Sequence, residues 1–350
     1  MTVMPAGRYE SHFLRAVDPA RPRAAWIRRT THQRPGEPAT GALWCTVWDA
    51  EAGPPFAVKQ SYAALLPDRD RPTPQPKRWT GRAEALGRRA AWDLEPAGSE
   101  PPLRHLAHRL AYRAPLPRTK LESPRPDAVF NGWVETGADG RVEAAGADGG
   151  VEAAGSDRGV EVAGADGGVE AAGPLGRVEV AGWRGVVGHN WGTEHAERWV
   201  WLHALGFAEA PGAWLDLALG RVKAAGRTSP WIANGALSLD GARLRLGGLR
   251  HARSVTADAR PGAFEAEIGG FGVRIRVRAA APAGQTVAFE YADPAGGEHH
   301  ALNCSIAEVH LRVERPGRPP LELATAHGGA YELGVRETTH GVPLEPFADP

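Results

Sequence analysis

The sequence predicts an all-β fold. Glycine and proline, 44 and 30 of 350 residues, are more frequent than in average proteins, which favours many turns and disfavours long helices. Apolar and polar residues alternate with period two in short runs, and glycine- and proline-rich clusters separate these runs, as in antiparallel β meanders. The length suits two units of about 150 residues. We therefore expect two barrel-like halves that meet near residue 185.

Composition excludes several other classes of protein. The 41 basic and 41 acidic residues balance, so no global field attracts nucleic acid or an anionic membrane. Cys45 and Cys304 lie far apart and give neither a zinc spacing nor a disulfide framework. No apolar run reaches the roughly 18 residues of a membrane helix, and the N-terminus lacks a signal-peptide pattern. We expect a cytoplasmic protein with no integral membrane segment and no nucleic-acid partner; the sequence leaves its oligomeric state open.

The first half consists mainly of short predicted strands. They are residues 26–31, 42–49 and 56–62, with a further strand pair within residues 77–94. Residues 101–111 are the best helix candidate in this half, but the prolines at 115, 117, 124 and 126 end the helix quickly.

Residues 137–182 repeat with a period of nine. Each unit resembles Gly-Ala-Asp-Gly-Gly-Val-Glu-Ala-Ala, which invites comparison with the calcium-binding nonapeptide G-G-x-G-x-D-x-U-x. The second Gly-x-Asp is missing, and one small apolar residue per unit is too little to bury a stacked core. We expect a tandem expansion inserted in a mobile surface hairpin of the N-terminal unit.

The second half returns to β patterning, with an Asp240-Gly241 turn typical of hairpins. Its predicted strands are residues 236–246, 263–268, 271–277, 286–291, 302–313, 321–325 and 330–335. The predicted units are therefore residues 8–183 and residues 184–346.

Candidate chemistry is concentrated between residues 182 and 216, where tryptophan and histidine are frequent. In extended strands, alternate side chains share a face. This alternation groups His189 with Trp191, Trp199 with Trp201 and His203, and Trp214 with Asp216, while Asn190 points the other way. If these runs were neighbours, they would line a cavity with indoles, imidazoles and one carboxyl group.

Such a cavity suits acid chemistry on an apolar alkene. Apolar surroundings raise the pKa of a carboxyl group, so we expect Asp216 to be protonated and to give its proton to the alkene. Tryptophan faces would stabilise the carbocation, after which water adds or a ring closes. Glu194 and Glu197 are alternative acids.

Each residue also has a structural interpretation. His189 would anchor a turn, Trp199 and Trp201 would pack in a core, and Asp216 would be solvated on an outer face. A zinc site from His189, His195 and His203 has a spacing that matches no common ligand pattern. We expect no metal and no cofactor.

Residues 188–192, GHNWG, followed by Trp199-Val200-Trp201, carry a resemblance. They are similar to the N-W-G and W-x-W signature of the lipocalin-like family that includes carotenoid 1,2-hydratase (hydroxyneurosporene synthase), tocopherol cyclase, kievitone hydratase, AttH-like proteins and fungal Diels–Alderases. The resemblance implies two tandem lipocalin-like (calycin) β-barrel domains with a pocket at their junction.

The resemblance also implies roles for single residues. In the hydratases the acid is an aspartate assisted by histidine, tryptophan and tyrosine. Here His189 and Trp191 match the histidine and the tryptophan by motif, and Asp216 matches the aspartate. Trp214 stands where a tyrosine is expected, so the hydrogen bond of the tyrosine hydroxyl is lost. The residues expected to bind substrate are Asn190, Glu194, His195, Trp199, Trp201 and His203.

The leading hypothesis is a cofactor-independent hydratase or cyclase that acts on an apolar, unsaturated, isoprenoid or polyketide-like metabolite. The alternative is a non-catalytic carrier of a hydrophobic small molecule. A third hypothesis, carbohydrate binding or hydrolysis on a tryptophan platform, requires two carboxylates roughly 5–10 Å apart at an open cleft.

Overall fold

The computed structural model describes residues 7–64, 76–138, 176–224 and 226–347. Its strands form two large antiparallel sheets, both curved into barrel-like shapes. The predicted all-β class with two barrel-like halves is therefore confirmed. No helix in this part of the chain is both long and apolar enough to cross a bilayer.

The first sheet has nine strands in the order β4-β3-β2-β1-β9-β8-β6-β5, with β7 paired to β8. They are β1 (Arg8–Val17), β2 (Arg23–Gln33), β3 (Thr40–Asp49), β4 (Phe56–Ala63), β5 (Trp79–Ala85), β6 (Arg88–Ala97), β7 (Leu103–Arg104), β8 (Thr119–Ala138) and β9 (Gly176–Gly192). The two edge strands, β4 and β5, approach each other. The backbone N–H of Glu84 in β5 donates to the Gln60 side chain in β4 at 3.0 Å.

The second sheet has ten strands in the order β15-β14-β11-β10-β21-β20-β18-β17-β16, with β19 paired to β20. They are β10 (Arg198–Leu205), β11 (Trp214–Arg221), β14 (Ile232–Leu239), β15 (Ala242–Gly247), β16 (Thr256–Arg260), β17 (Ala263–Gly269), β18 (Arg274–Ala280), β19 (Val287–Ala292), β20 (Glu298–Glu314) and β21 (Leu321–Val335). A separate ribbon joins β12 (Lys223–Ala224) to β13 (Arg227–Thr228).

The helix predicted over residues 101–111 is wrong. Its first residues pair as β7 with β8, and only the short 3₁₀ helix Arg109–Tyr112 follows. Leu103 and His105 are buried while most of their neighbours are exposed, so the segment alternates as a strand does. A second 3₁₀ helix spans Leu249–Ser254.

Strands β8 and β9 pair into one long hairpin of the first sheet, with Thr136 opposite Gly176. Both ends of the predicted insert, residues 137–138 and 176–182, therefore belong to regular strands. The expected mobile hairpin otherwise lies outside the described residues, which resume at residue 176. Because β9 continues to Gly192, the first sheet extends beyond the expected boundary at residue 183.

A tryptophan-rich face of the first sheet packs against the second sheet. Trp26 and Trp44 both contact Phe289 of β19, with ring centroids 6.3 Å and 5.1 Å apart. Trp48 donates its indole N–H to the Gln285 carbonyl at 3.0 Å. All three tryptophans are buried, so this contact forms a large part of the core.

Arg15 of β1 crosses the same contact. Its fully buried guanidinium donates to the Ser305 carbonyl at 2.6 Å and to the Gly328 carbonyl at 3.0 Å. Two residues earlier, Phe13 meets Trp201 of β10 edge-on at 5.1 Å. Because alternate residues share a face, Phe13 and Arg15 mark the side of β1 that faces the second sheet.

Candidate functional site

Asp216 of β11 is completely buried, and residues of both sheets hold its carboxylate. From the first sheet, the Ser123 hydroxyl donates to Oδ2 at 2.5 Å, and Nε2 of His105 lies 3.6 Å from Oδ1. From the second sheet, the Trp201 indole N–H donates to Oδ1 at 3.1 Å. We call these four residues the Asp216 cluster. It joins the two sheets through one carboxylate.

The register of β10 and β11 explains this arrangement. His203 pairs directly with Asp216, and Leu205 pairs with Trp214, so these side chains and Trp201 share one face. That face points to the first sheet, because His203 Nε2 donates to the Pro126 carbonyl at 2.9 Å. The structure therefore brings together Asp216, Trp214, Trp201 and His203, as the alternation predicts.

Trp214 is also fully buried, and its indole N–H has no hydrogen-bond partner. The Arg243 guanidinium lies over its ring, 5.1 Å from the centroid, and Arg243 also donates to the Pro101 and Pro102 carbonyls. Trp214 is thus covered from the outside by Arg243 and by the chain segment that leads to His105.

The prediction that Asp216 is protonated is wrong. Burial raises the pKa of its carboxyl group, but the charge and hydrogen bond of His105 and the hydrogen bond from Ser123 outweigh burial and lower the pKa below its ordinary value. The neighbouring His203 is neutral at neutral pH, because burial lowers its pKa to about 4. The cluster therefore holds an ionised carboxylate at neutral pH.

His189 and Trp191 do not join Asp216, contrary to the expected arrangement. The His189 ring stacks on His12 at 4.1 Å and on Trp191 at 4.3 Å. His12 occupies the face of β1 opposite Phe13, which contacts the second sheet. The wall formed by β1, β9 and β8 therefore separates His189 from Asp216. Alternation groups the side chains within one strand, but it does not fix which face of that strand points to the second sheet.

His189 instead belongs to a group of two histidines and two carboxylates. Its Nε2 lies 2.9 Å from Oε1 of Glu10, and His12 Nε2 lies 3.1 Å from the same oxygen. Its Nδ1 lies 3.6 Å from Oε1 of Glu122. Burial lowers the pKa of His189, but the hydrogen bonds to the two carboxylates outweigh burial and raise it above its ordinary value. The pKa of Glu10 is lowered, because hydrogen bonds from both histidines outweigh its burial.

His195 and Trp199 lie apart from both of these groups, where the chain passes from β9 of the first sheet to β10 of the second sheet. The His195 ring stacks on Tyr9 at 4.1 Å, and its centroid lies 5.5 Å from that of Trp199. Neither ring nitrogen of His195 has a hydrogen-bond partner. Trp199 donates its indole N–H to Glu332 at 3.0 Å.

Two further predicted residues lie at the margin. Glu194 is partly exposed and forms an ion pair with Arg118. Asn190 is half-buried on the face of β9 opposite His189. Neither contacts the Asp216 cluster through a hydrogen bond or ion pair among the residues that the structure describes.

Two groups of residues have donor atoms close enough to hold a metal ion, within the part of the chain that the structure covers. The first is Glu10, His12 and His189, and the second is His195, Asp293 and His299. In each group, all donor atoms lie within 4.8 Å of one another.

Among the clefts on the surface of the described residues, two are open and close to the residues discussed above. A cleft of about 370 Å³ is lined by Glu197, Arg198, Arg221, Thr228, Arg336 and Glu337. A cleft of about 290 Å³ is lined by Pro102, Leu103, Arg104, Leu106, Ala107, Arg109, Arg243 and Arg245. Neither has a tryptophan in its lining, unlike the cavity expected from the sequence. The second cleft is formed by the residues on either side of His105, and so lies next to the cover of the Asp216 cluster.

Sequence reasoning missed His105, Ser123, Glu10 and His12. His105 lies in the segment predicted as a helix, in which the alternating burial of a strand is not expected. Glu10 and His12 lie in β1 (RYESHFLRAV). They share one face of this strand, and Phe13 and Arg15 share the opposite face. Ser123 is an ordinary serine of a strand, and only the fold reveals that it faces an aspartate 93 positions away.

No family model matches the chain. Two curated relatives from Mycobacterium tuberculosis, Uncharacterized protein Rv0493c of strain H37Rv and Uncharacterized protein MT0513 of strain CDC 1551, are each 31% identical over 169 residues. The match covers 45% of this chain and 45% of each relative, so the chain spans less than half the length of the relatives it matches.

Solved structures resemble most of the chain. CghA with Sch210972 superposes with a TM-score of 0.53 at 11% identity, over 94% of this chain and 88% of that one. Kievitone hydratase from Nectria haematococca gives 0.47 at 9% identity, over 94% and 88%. An AttH-like protein from Nitrosomonas europaea gives a TM-score of 0.47 at 13% identity, over 95% of this chain and 93% of that one. The match to CghA shows a shared fold.

Proposed function

We propose that this protein is an enzyme that hydrates or cyclises an apolar unsaturated small molecule without a cofactor, and that the reaction occurs at the Asp216 cluster. The observation that carries the proposal is a fully buried carboxylate, contacted by His105 and Ser123 of one sheet and Trp201 of the other. Buried ionised groups are costly and are concentrated at functional sites. The shared fold with CghA, which was solved with Sch210972, supports the same assignment.

The His105–Asp216 pair is the proposed proton carrier. His105 Nδ1 lies 3.4 Å from the Asn234 carbonyl and donates to it, which directs Nε2 toward Asp216 and Ser123. In the proposed reaction, the π electrons of an alkene take the proton from Nε2 and leave a carbocation on the adjacent carbon. The negative charge of Asp216 stabilises that cation, and an indole face such as that of Trp201 or Trp214 adds to this stabilisation.

The cation then has two fates. A water molecule adds and loses a proton to the Nε2 of His105, which gives an alcohol and regenerates the donor. Alternatively, an internal double bond attacks the cation and the ring closes, after which loss of a neighbouring proton returns it to His105. Both routes balance without an oxidant, a reductant or a bound cofactor.

Access requires movement of the segment from Leu106 to Arg118, which follows His105 in the chain, so that His105 stays beside Asp216. No residue from Leu106 to Arg118 is buried, and a stretch without buried side chains opens at low cost. The adjacent cleft, lined by Leu103, Leu106 and Arg243, is the proposed entrance.

The test measures incorporation of solvent isotope into apolar polyenes. Squalene, lycopene and geranylgeraniol, each solubilised in detergent, are incubated with the full chain in H₂¹⁸O or D₂O, and products are analysed by mass spectrometry. Hydration introduces both ¹⁸O and deuterium, whereas cyclisation introduces deuterium without ¹⁸O. We expect Asp216→Asn to reduce turnover by at least about 100-fold, while binding, measured by quenching of tryptophan fluorescence, changes little.

The control variant is Asp240→Asn, because Asp240 lies in an exposed turn and pairs with Arg315 and Arg318 instead of with the cluster. It should retain full turnover. Unchanged turnover in Asp216→Asn would overturn the proposed site.

A carrier of a hydrophobic small molecule is the second candidate. Both oxygens of Asp216 already accept hydrogen bonds, which is also the arrangement of a purely structural carboxylate. Polyene binding by the wild type with no isotope incorporation in any of the three probes would favour the carrier over the enzyme.

A further inference from the structure

A second site with metal-binding geometry lies on the other side of the β1–β9 wall from Asp216. His12 of β1 pairs directly with His189 of β9, and their rings stack at 4.1 Å with an interplanar angle of 7°. Glu10 precedes His12 by two residues and therefore shares its face. Three donor side chains thus come from two paired strands, which hold them rigidly.

The donor atoms already have the spacing of ligands around one ion. The Nε2 atoms of His189 and His12 lie 2.9 Å and 3.1 Å from Oε1 of Glu10. Two ligands at 2.0–2.1 Å from a tetrahedral zinc ion are about 3.3 Å apart. Because the two rings lie parallel, each would rotate so that its Nε2 lone pair points at the ion, which would replace the hydrogen bonds between these groups.

Glu122 occupies the position of an outer carboxylate. Its Oε1 lies 3.6 Å from Nδ1 of His189, the ring nitrogen that would not bind the metal. Histidine ligands commonly donate this second N–H to a carboxylate, which fixes the ring and strengthens the ligand. The three donor residues are 8%, 3% and 2% exposed, so an ion there would be largely shielded from water.

The other group of possible ligands fits less well. His299 Nδ1 lies 3.7 Å from Oδ2 of Asp293, and the Arg336 guanidinium lies 3.4 Å from the same oxygen. This positive charge repels a cation and already occupies the carboxylate.

We propose that Glu10, His12 and His189 bind one divalent transition-metal ion, with Zn²⁺ as the favoured ion. Two histidines and one glutamate with an open fourth position are a known zinc ligand set. The site is independent of the proposed reaction at Asp216, because it lies on the opposite face of the wall. Binding of the ion would link β1 to β9 and should raise the thermal unfolding midpoint.

The test titrates metal-stripped full-length protein with Zn²⁺ by calorimetry, and with Co²⁺ by visible absorption. We expect one ion per chain, a four-coordinate Co²⁺ spectrum and a higher unfolding midpoint with Zn²⁺. His12→Gln and Glu10→Gln should each weaken binding by more than about 100-fold, and Glu122→Gln by about 10–100-fold, as loss of an outer carboxylate does.

Two controls locate the ion. His310→Gln alters an exposed histidine and should bind normally. His299→Gln alters the other possible site and should also bind normally. Each variant is first checked for native circular dichroism, and Glu122→Gln serves if a ligand variant fails to fold. Absence of binding in the folded wild type, or loss of binding in His299→Gln with retention in Glu10→Gln, would overturn the proposal.

Discussion

Replacing Asp216 tests whether its buried charge stabilises the fold. In Asp216→Ala, the Ser123 hydroxyl, the Trp201 indole N–H and His105 all lose their common acceptor. Removing one partner of a buried, hydrogen-bonded charge costs about 3–5 kcal/mol. In Asp216→Asn, the amide oxygen is able to accept from Trp201 and the amide N–H₂ is able to donate to Ser123. Only the charge assistance is lost, so the expected cost is about 1–2 kcal/mol.

The assay is urea unfolding followed by tryptophan fluorescence, at several pH values. The folded pKa of Asp216 lies below its ordinary value, so the carboxylate stabilises the fold above the unfolded pKa of about 3.9. The difference in unfolding free energy between wild type and Asp216→Asn should therefore be constant from pH 7 to 5. It should shrink as the pH falls below about 4.

Asp240→Asn is the matched control, since it makes the same chemical change in an exposed turn, and it should shift the unfolding free energy by less than about 0.5 kcal/mol. A wild type no more stable than Asp216→Asn between pH 5 and 7 would refute the reasoning, because an ionised carboxylate with a lowered folded pKa must stabilise the fold in that range.

Three further changes test a hydrogen bond to Asp216, the close approach of β9 to β1, and the repeat insert. Trp201→Phe keeps an aromatic side chain but removes the indole N–H that donates to Asp216 at 3.1 Å. Chemical denaturation should show a loss of about 1.5–3 kcal/mol in the free energy of unfolding. Gly185→Ala places a methyl group against the facing backbone carbonyl of β1, and should cost at least about 1–3 kcal/mol, whereas Gly212→Ala, with open space around it, should be neutral in the same assay. Deleting residues 139–174, four repeat units, should leave the thermal midpoint within about 2 °C, because Thr136 and Gly176 already pair; a collapse of the midpoint would contradict an insert outside the core.

The strands were predictable because their signal is local. Residues 42–49 and 56–62 alternate between apolar and polar side chains and correspond to β3 and β4. The helix predicted over residues 101–111 failed because β7 is formed by pairing with β8, which a local pattern does not contain.

The candidate site was predictable within one hairpin and not beyond it. Trp201, His203 and Asp216 share a face because β10 and β11 are neighbours, and alternation fixes their relative orientation. His189 was misplaced because the choice of face for β9 depends on β1, a distant strand. The pKa of Asp216 was misjudged for a related reason: His105 and Ser123, which lower it, reach it only through the contact of the two sheets.

The tryptophan face of the first sheet has a consequence for biosynthesis. Trp26 and Trp44 are covered by Phe289, which the ribosome adds roughly 250 residues later, about 12–50 s at ordinary elongation rates. During that interval the nascent first sheet displays a broad aromatic surface. Such a chain is a natural client for chaperones that hold exposed hydrophobic segments, and slow translation of the second half would prolong its risk of aggregation.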